Sequence, residues 1–180
     1  MNKCTQCLHE KTTSCNLCLE HDLYKPKYHF FWRGPFSQWT KRPMIDPISR
    51  IEFNCCEQYM MYKKAMLFND QEIVSKILCT SNPREQKAYG RQVRNYDQKT
   101  WDAVKFDIVF MGNALKVAQN EDIRIALIDT GDQILVEASP YDTIWGIGLT
   151  EEEAKHLDPK DWKGLNLLGQ VLTSVKQLYK

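Results

Sequence analysis

The sequence predicts an α+β fold: a helix-rich single domain with a small sheet, preceded by a short N-terminal zinc knuckle. Three observations predict it. Apolar residues recur at helical spacing through most of the chain beyond residue 55. Three short runs, His29 to Trp32, Arg50 to Phe53 and Ile134 to Ala138, read as strands. Four of the seven cysteines, Cys4, Cys7, Cys15 and Cys18, crowd the extreme N-terminus. The expected division is a knuckle over residues 1–24 and a main domain over 25–180. A chain of 180 residues is long enough for that domain to bury a core of its own.

Each element has a local reason. Cys4-x-x-Cys7 and Cys15-x-x-Cys18 are paired knuckles, and two such pairs complete a tetrahedral Zn–S4 shell. Their connector is shorter than the usual separation between pairs, and the segment has little apolar content, so metal would supply its folding energy. A structural zinc is therefore expected, closed and without catalysis, with His9 and His21 as bystanders. Disulfides, a redox dithiol and unligated thiols are the alternatives. Lys25-Pro26-Lys27 reads as the joint to the main domain.

His29-Phe30-Phe31-Trp32 reads as a buried strand ended by Arg33-Gly34-Pro35, and residues 40 to 49, with Pro43 and Pro47, read as a loop. The run from Cys55 to Phe68 is apolar and aromatic around much of its circumference, the pattern of a buried helix. Asp70 is placed to cap a helix over 71–79, and Asn82 with Pro83 to start another reaching Tyr89. A long helix over 99–119 carries Trp101, Val104, Ile108, Met111, Leu115 and Ala118 near one stripe. Asn120 is expected to cap the next, which ends at Ile128 and Gly131. Residues 139–164 read as mainly loop. The last helix presents Leu168, Val171, Leu172, Val175 and Leu178 at helical spacing. Cys55, Cys56 and Cys79 are expected to be buried free thiols.

Charge and hydropathy narrow the function. Lys+Arg number 24 against Asp+Glu 23, a net charge of +1, which excludes binding of nucleic acid by bulk charge and excludes an acidic tail protein. No apolar run reaches the roughly 20 residues of a membrane span, and the N-terminus lacks the apolar stretch of a signal peptide. A soluble, cytoplasmic protein without a membrane partner is expected. No organic-cofactor fingerprint is visible: Gly146-x-Gly148 lacks the strand-to-helix context of a dinucleotide loop. Nothing in the pattern encodes an oligomeric state.

Three groups of residues can carry chemistry. Glu57 and Lys64 stand seven positions apart on the aromatic helix. Seven residues turn through roughly 700°, so the two share one stripe. A carboxylate and an amine there are costly unless paired, solvated or functional. They can act as base or nucleophile and as amine nucleophile or phosphate partner; the alternative is an amphipathic helix with a solvated edge. Asp142-Thr143-Ile144-Trp145-Gly146-Ile147-Gly148 has the composition of a binding loop, or of a turn with a half-buried Trp. Gly90-Arg91 and Arg94 can face phosphate, or form a solvated turn.

Taken together, the residues from about Tyr28 to Tyr179 resemble the NADAR family. Phe30-Phe31-Trp32 and Gly34-Pro35-Phe36-Ser37-Gln38-Trp39 resemble its opening aromatic segment and F-S-N-F motif. Glu57-Gln58-Tyr59 through Lys64 resembles its E-H-Y-x-x-x-x-K helix, and Gly90-Arg91 with Trp101 its G-R…W element. Leu135-Val136-Glu137 followed by Asp142-x-x-Trp145-Gly146 resembles its L-V-E…D-x-x-W-G stretch. Gly164-x-Asn166-x-Leu168-Gly169 resembles its closing turn. Gln58 stands where the family often has His, Gln38 where Asn is common, and Trp39 where Phe is frequent. The paired CxxC knuckle is not part of the core family pattern.

The resemblance implies hydrolysis of N-glycosidic bonds of ribose through an oxocarbenium-like transition state. One branch of the family acts on ribosylaminopyrimidine phosphates of riboflavin biosynthesis, and other branches act on ADP-ribose attached to guanine in nucleic acid. It implies Glu57 as the catalytic glutamate, Lys64 as Schiff-base amine or orienting group, and Asp142 as holder of ribose hydroxyls or proton carrier. Trp145 would stack on the base and Arg91 would face phosphate. Trp32, Ser37, Gly90, Gly146 and Asn166 would complete the substrate site. The expected partner is a ribosylated or ADP-ribosylated nucleotide, with nucleic acid as its candidate carrier. A non-catalytic module binding ADP-ribose or NAD-like ligands is the competing class.

Overall fold

A computed structural model describes residues 28–180. The cysteine pairs of the expected zinc knuckle lie outside the described residues. Among these, seven α-helices surround two small pairs of strands.

The chain enters as β1 (Tyr28–Phe31). β2 (Met44–Ile45) and β3 (Glu52–Phe53) form a minimal antiparallel pair, Met44 opposite Phe53. β2 lies inside the stretch expected to be loop. Asp46 secures the turn between the two strands, accepting from Ile48 N and Ser49 Oγ, and takes the Lys63 ammonium at 2.8 Å. α1 (Cys56–Leu67) is buried nearly all round, Cys56 through Tyr62 without a break, so the apolar and aromatic character around much of its circumference follows from its central position.

α2 (Gln71–Cys79) and α3 (Pro83–Gly90) begin as their caps predict: Asp70 Oδ1 accepts from Ile73 N and Asn82 Oδ1 from Arg84 N. Both pack on α1. Cys55 and Cys56 are buried, but Cys79, at the end of α2, is exposed. α4 (Gln98–Gln119) crosses α1 and then α7 (Leu167–Gln177). Its buried stripe is Trp101, Val109, Gly112, Asn113, Lys116 and Val117, whereas Met111 and Ala118 face solvent. Two polar groups enter that stripe because buried acceptors await them. Lys116 Nζ donates to Pro35 O and Ser37 O at 3.0 and 3.2 Å, and Asn113 Nδ2 donates to Gln38 Oε1 at 3.0 Å.

α5 (Glu121–Ile128) follows without the expected side-chain cap. Asn120 instead donates its amide to Pro43 O and Lys116 O. β4 (Ile134–Glu137) pairs in parallel with β1, Tyr28 opposite Ile134 and Phe31 opposite Glu137. The stretch expected to be mainly loop contains α6 (Glu151–Lys155), set by a capping box in which Thr150 and Glu153 exchange hydrogen bonds, and one 3-10 turn (Pro159–Asp161). α7 buries Leu168, Val171, Leu172 and Val175 against α4 and β4. Each such side chain contributes roughly 1.5–3 kcal/mol by leaving water. Leu178 lies past the last turn and is exposed. No helix among the described residues is long and apolar enough to cross a membrane.

Candidate active site

Parallel pairing puts the C-terminal ends of β1 and β4 side by side, and the loops leaving those ends, 32–40 and 138–148, face each other. Between them, α1 and α3 supply a floor and a wall. The result is a cleft of about 880 Å³. Ends of parallel strands are where such folds place ligands, because the loops there diverge.

Glu57 sits on the floor, 2% exposed, in the first turn of α1. Its backbone N–H donates to Gln38 O at 3.0 Å, tying the 32–40 loop to the start of the helix. Its Oε2 accepts from Trp39 Nε1 at 3.2 Å, while Oε1 is buried without a partner. Burial pushes the carboxyl up to about 7, outweighing the opposing pull of Lys87, the Trp39 hydrogen bond and Arg91. A carboxyl that titrates near neutrality and keeps one oxygen free is equipped to exchange protons or face a developing cation.

Lys64 reaches the same cleft two turns further along α1. Its ammonium donates to Gly90 O at 2.9 Å and stands 4.2 Å from the Tyr96 ring centroid and 5.7 Å from that of Trp101. Burial, reinforced by Arg91, lowers its pKa. Gly90 has a steric role: a Cβ there would lie 1.9 Å from Met61 Sδ, so with Met61 in place any larger residue forces that side chain to move where α3 rests on α1.

The loop after β4 is rigid by construction. Asp142 Oδ1 accepts from Ile144 N and Trp145 N at 3.0 and 2.8 Å, and Asp142 Oδ2 lies 3.8 Å from Lys87 Nζ. Leu165, Asn166, Leu167 and Leu168 donate their backbone N–H groups to the carbonyls of Thr143, Gly146, Ile144 and Trp145. The glycines make this lamination fit: a Cβ on Gly164 would meet Gly146 O at 2.3 Å, and one on Gly169 would meet Leu135 O at 2.1 Å.

Eight of the ten expected catalytic and substrate-site residues line the cleft: Glu57, Lys64, Asp142, Trp32, Ser37, Gly90, Arg91 and Trp145. Gly146 and Asn166 do not. Gly146 is buried behind the wall, where a Cβ would sit 2.9 Å from both Asp142 O and Glu137 O. Asn166, in left-handed backbone at φ 53°, staples β4 by accepting from Glu137 N and donating to Leu135 O. Arg94 is also elsewhere, bound to Asp70 through its guanidinium and its backbone N–H. Trp32, expected within a buried strand, is 42% exposed at the cleft's lip, tilted against Tyr141 with ring centroids 5.9 Å apart.

Sequence reasoning missed Glu137, Lys87 and the two loop residues Gln38 and Trp39, all of which line the cleft. Asn113 claims Gln38 Oε1, and this leaves Gln38 Nε2 a buried donor without a partner. Among the described residues no group of three or more His, Cys, Asp or Glu side chains is arranged to hold a metal ion.

A family model described as the NADAR domain matches residues 29–179. The chain belongs to the NADAR family. It is 43% identical over 145 residues to an N-glycosidase of Acanthamoeba polyphaga mimivirus, a match covering 79% of this chain and 85% of that relative. It is 34% identical over 121 residues to an N-glycosidase of Nostoc punctiforme, covering 67% and 70%. Protein irg-1 of Caenorhabditis elegans is 40% identical over 129 residues, covering 71% and 61%. The NMR structure of the E. coli protein YbiA matches with a TM-score of 0.69 at 22% identity over 86% of each chain, a likeness of fold.

Within this NADAR domain, Gln58 is a structural substitution rather than a site residue. Its Oε1 accepts from Asn54 N and its Nε2 donates to Ile77 O and Thr80 O, away from the cleft.

Proposed function

We propose that this chain, like the relatives named N-glycosidases, hydrolyses an N-glycosidic bond, that the bond joins ribose C1 to a base nitrogen, and that its substrate is ADP-ribosylated guanine in nucleic acid or nucleotide. The observation that carries this reading is the buried Glu57, with one unpartnered oxygen, at the floor of a cleft rimmed by cations and aromatic planes. Departure of the base leaves positive charge on C1 and the ring oxygen, which an ionised Glu57 stabilises in a site of low dielectric. Arg33, Arg84, Lys87 and Arg91 border the same space. Four cations suit the two phosphates of ADP-ribose better than the single phosphate of a ribosylaminopyrimidine. Trp32, Trp39, Tyr141 and Trp145 line the same cleft, and aromatic rings are the groups on which a base stacks. Lys64, its ammonium partly desolvated, is placed to orient the sugar or to attack its opened aldehyde.

The test offers purified full-length protein, and Glu57→Gln, both ADP-ribosylated guanosine DNA and a ribosylaminopyrimidine phosphate. Turnover of the first by wild type but not by the variant supports the reading. Preference for the second moves the substrate to the riboflavin intermediates. Failure on both, or an undiminished Glu57→Gln enzyme, overturns the enzymatic assignment, and binding of ADP-ribose without turnover would put a ligand-binding module in its place.

A further inference from the structure

Glu137 closes β4 and enters the cleft beside the groups described above. It is not a loose surface carboxylate. Its backbone N–H donates to Asn166 Oδ1 at 2.9 Å, its carbonyl accepts from Ile147 N at 3.0 Å, and its register against Phe31 fixes the strand. Its Oε2 is buried and has no partner, the same condition as Glu57 Oε1. A polar atom kept buried and unpaired at a rigid strand end is costly to the fold, and a substrate atom that completes it repays the cost.

We propose that Glu137 is the general acid of this site, giving its proton to the departing nitrogen while Glu57 faces the charge developing at ribose C1. The proposal rests on the reading of the cleft as an N-glycosidase site. The steps balance. The C1–N bond breaks, its electron pair stays on nitrogen, and the Glu137 carboxyl proton joins that nitrogen. Water then adds to C1, and the proton it releases returns to the Glu137 carboxylate, giving free ribose hydroxyl and neutral base. An amine or amide nitrogen is a poor leaving group unless it is protonated, so this bond needs such a donor.

The surroundings divide the two carboxyls between the two roles. Glu57 on α1, Lys87 on α3 and Asp142 in the loop after β4 are the charged groups acting on Glu137. Burial, then Asp142, push it up to about 8 against the pull of Lys87, while Glu57 stands at about 7. Both carboxyls can hold a proton near neutrality, and the geometry separates them: Trp39 Nε1 donates to Glu57 Oε2 and so favours its ionised form, whereas Glu137 Oε2 has no donor and favours the protonated one.

The experiment compares leaving groups. Wild type, Glu137→Gln and Glu57→Gln are assayed on ADP-ribosylated guanosine and on a 4-nitrophenyl glycoside of ADP-ribose, whose nitrophenolate departs without a proton. Glu137→Gln is expected to lose roughly 100-fold or more in kcat on the guanine adduct, to lose less than about fivefold on the nitrophenyl glycoside, and to lose the alkaline limb of its pH profile. Glu57→Gln is expected to fail on both. Equal losses by Glu137→Gln on the two substrates, or no loss on either, overturn the proposal. Wild type that cleaves neither substrate defeats the N-glycosidase reading itself. Should Glu137→Gln fold poorly, Glu137→Asp decides. An acid drawn back by one methylene must still be more impaired on the guanine adduct than on the glycoside, and equal impairment overturns the assignment.

Discussion

Trp39 Nε1 donates to Glu57 Oε2 at 3.2 Å, from the 32–40 loop to the first turn of α1. The bond holds the carboxyl by one oxygen, leaves the other buried without a partner, and favours the ionised form. Trp39→Phe removes the donor and keeps an aromatic ring, the residue frequent at this position in the family pattern. The variant is expected to fold, to shift the acid limb of kcat/KM upward, and to lose roughly tenfold in kcat at pH 7, the size of one hydrogen bond to a charged group. A pH–rate series checks it, and an unmoved acid limb would separate that limb from Glu57.

The same carboxyls tie stability to pH. Glu57 is raised from an ordinary 4.5 to about 7, and Glu137 to about 8. In the unfolded chain both ionise near 4.5, so between 4.5 and 8 the folded state holds protons that the unfolded state has released. Their contribution is fully present below pH 4.5 and is lost as pH rises through 7 to 8. The protein is therefore expected to be less stable at pH 8.5 than at pH 5. Glu57→Gln should remove a part of that difference on the order of 3 kcal/mol. Urea unfolding of both proteins at the two pH values measures it, and an identical pH dependence in the variant contradicts the assignment.

Gly90 supports the site sterically. Gly90→Ala brings a methyl against Met61 Sδ and Cγ, which must move because the contact is shorter than any real one. Pushing α3 off α1 displaces Lys64, whose ammonium is bonded to Gly90 O, together with Lys87 and Arg91. A loss of about 1–3 kcal/mol is expected, with a fall in activity, and Met61→Ala in the same chain should restore most of the stability. Thermal or denaturant melts of wild type and the two variants decide it.

Local signals carried the helices. Asp70 and Asn82 could be recognised as caps because a capping side chain bonds two or three residues ahead, within the sequence window that reveals it. Thr150 to Glu153 carried the same kind of signal, but the acidic run hid the capping box inside an expected loop. Partners far apart in sequence defeated the reading. Lys116 is buried because carbonyls some 80 positions earlier receive it, and Arg94 is withdrawn from the cleft because Asp70 binds it. The site was legible as far as the family-like motifs reached, through Glu57, Lys64, Asp142 and Trp145. Glu137 stands inside the Leu135-Val136-Glu137 stretch of those motifs but received no role there, because in sequence it reads as the polar end of an apolar strand. It becomes a site residue only when β4 lies parallel to β1 and the two following loops enclose its carboxyl.

The paired CxxC motifs make their own prediction, from spacing alone. Full-length protein is expected to carry one zinc ion per chain, Cys15→Ser to lose it, and turnover to change by less than about twofold, because a closed four-thiolate site takes no part in chemistry. Elemental analysis beside the activity assay tests both halves. Metal-free wild type removes the zinc, and a large loss of turnover removes its purely structural role.

Lys87 links the rim to the floor. From α3 it lies 3.8 Å from Asp142 Oδ2, and its charge lowers both Glu57 and Glu137. Lys87→Met therefore pushes both carboxyls upward, and the sign is the same for each: every limb they set moves to higher pH, so the optimum of kcat/KM moves alkaline. The loss of one cation beside the expected phosphates should also raise KM, by roughly tenfold if a charged hydrogen bond goes with it. Lys87→Arg keeps the charge and should keep the optimum, while its altered geometry changes KM alone. A Lys87→Met enzyme with a raised KM and an unshifted optimum would confine this side chain to binding. A shifted optimum in the Met but not the Arg variant ties it electrostatically to the two buried carboxyls.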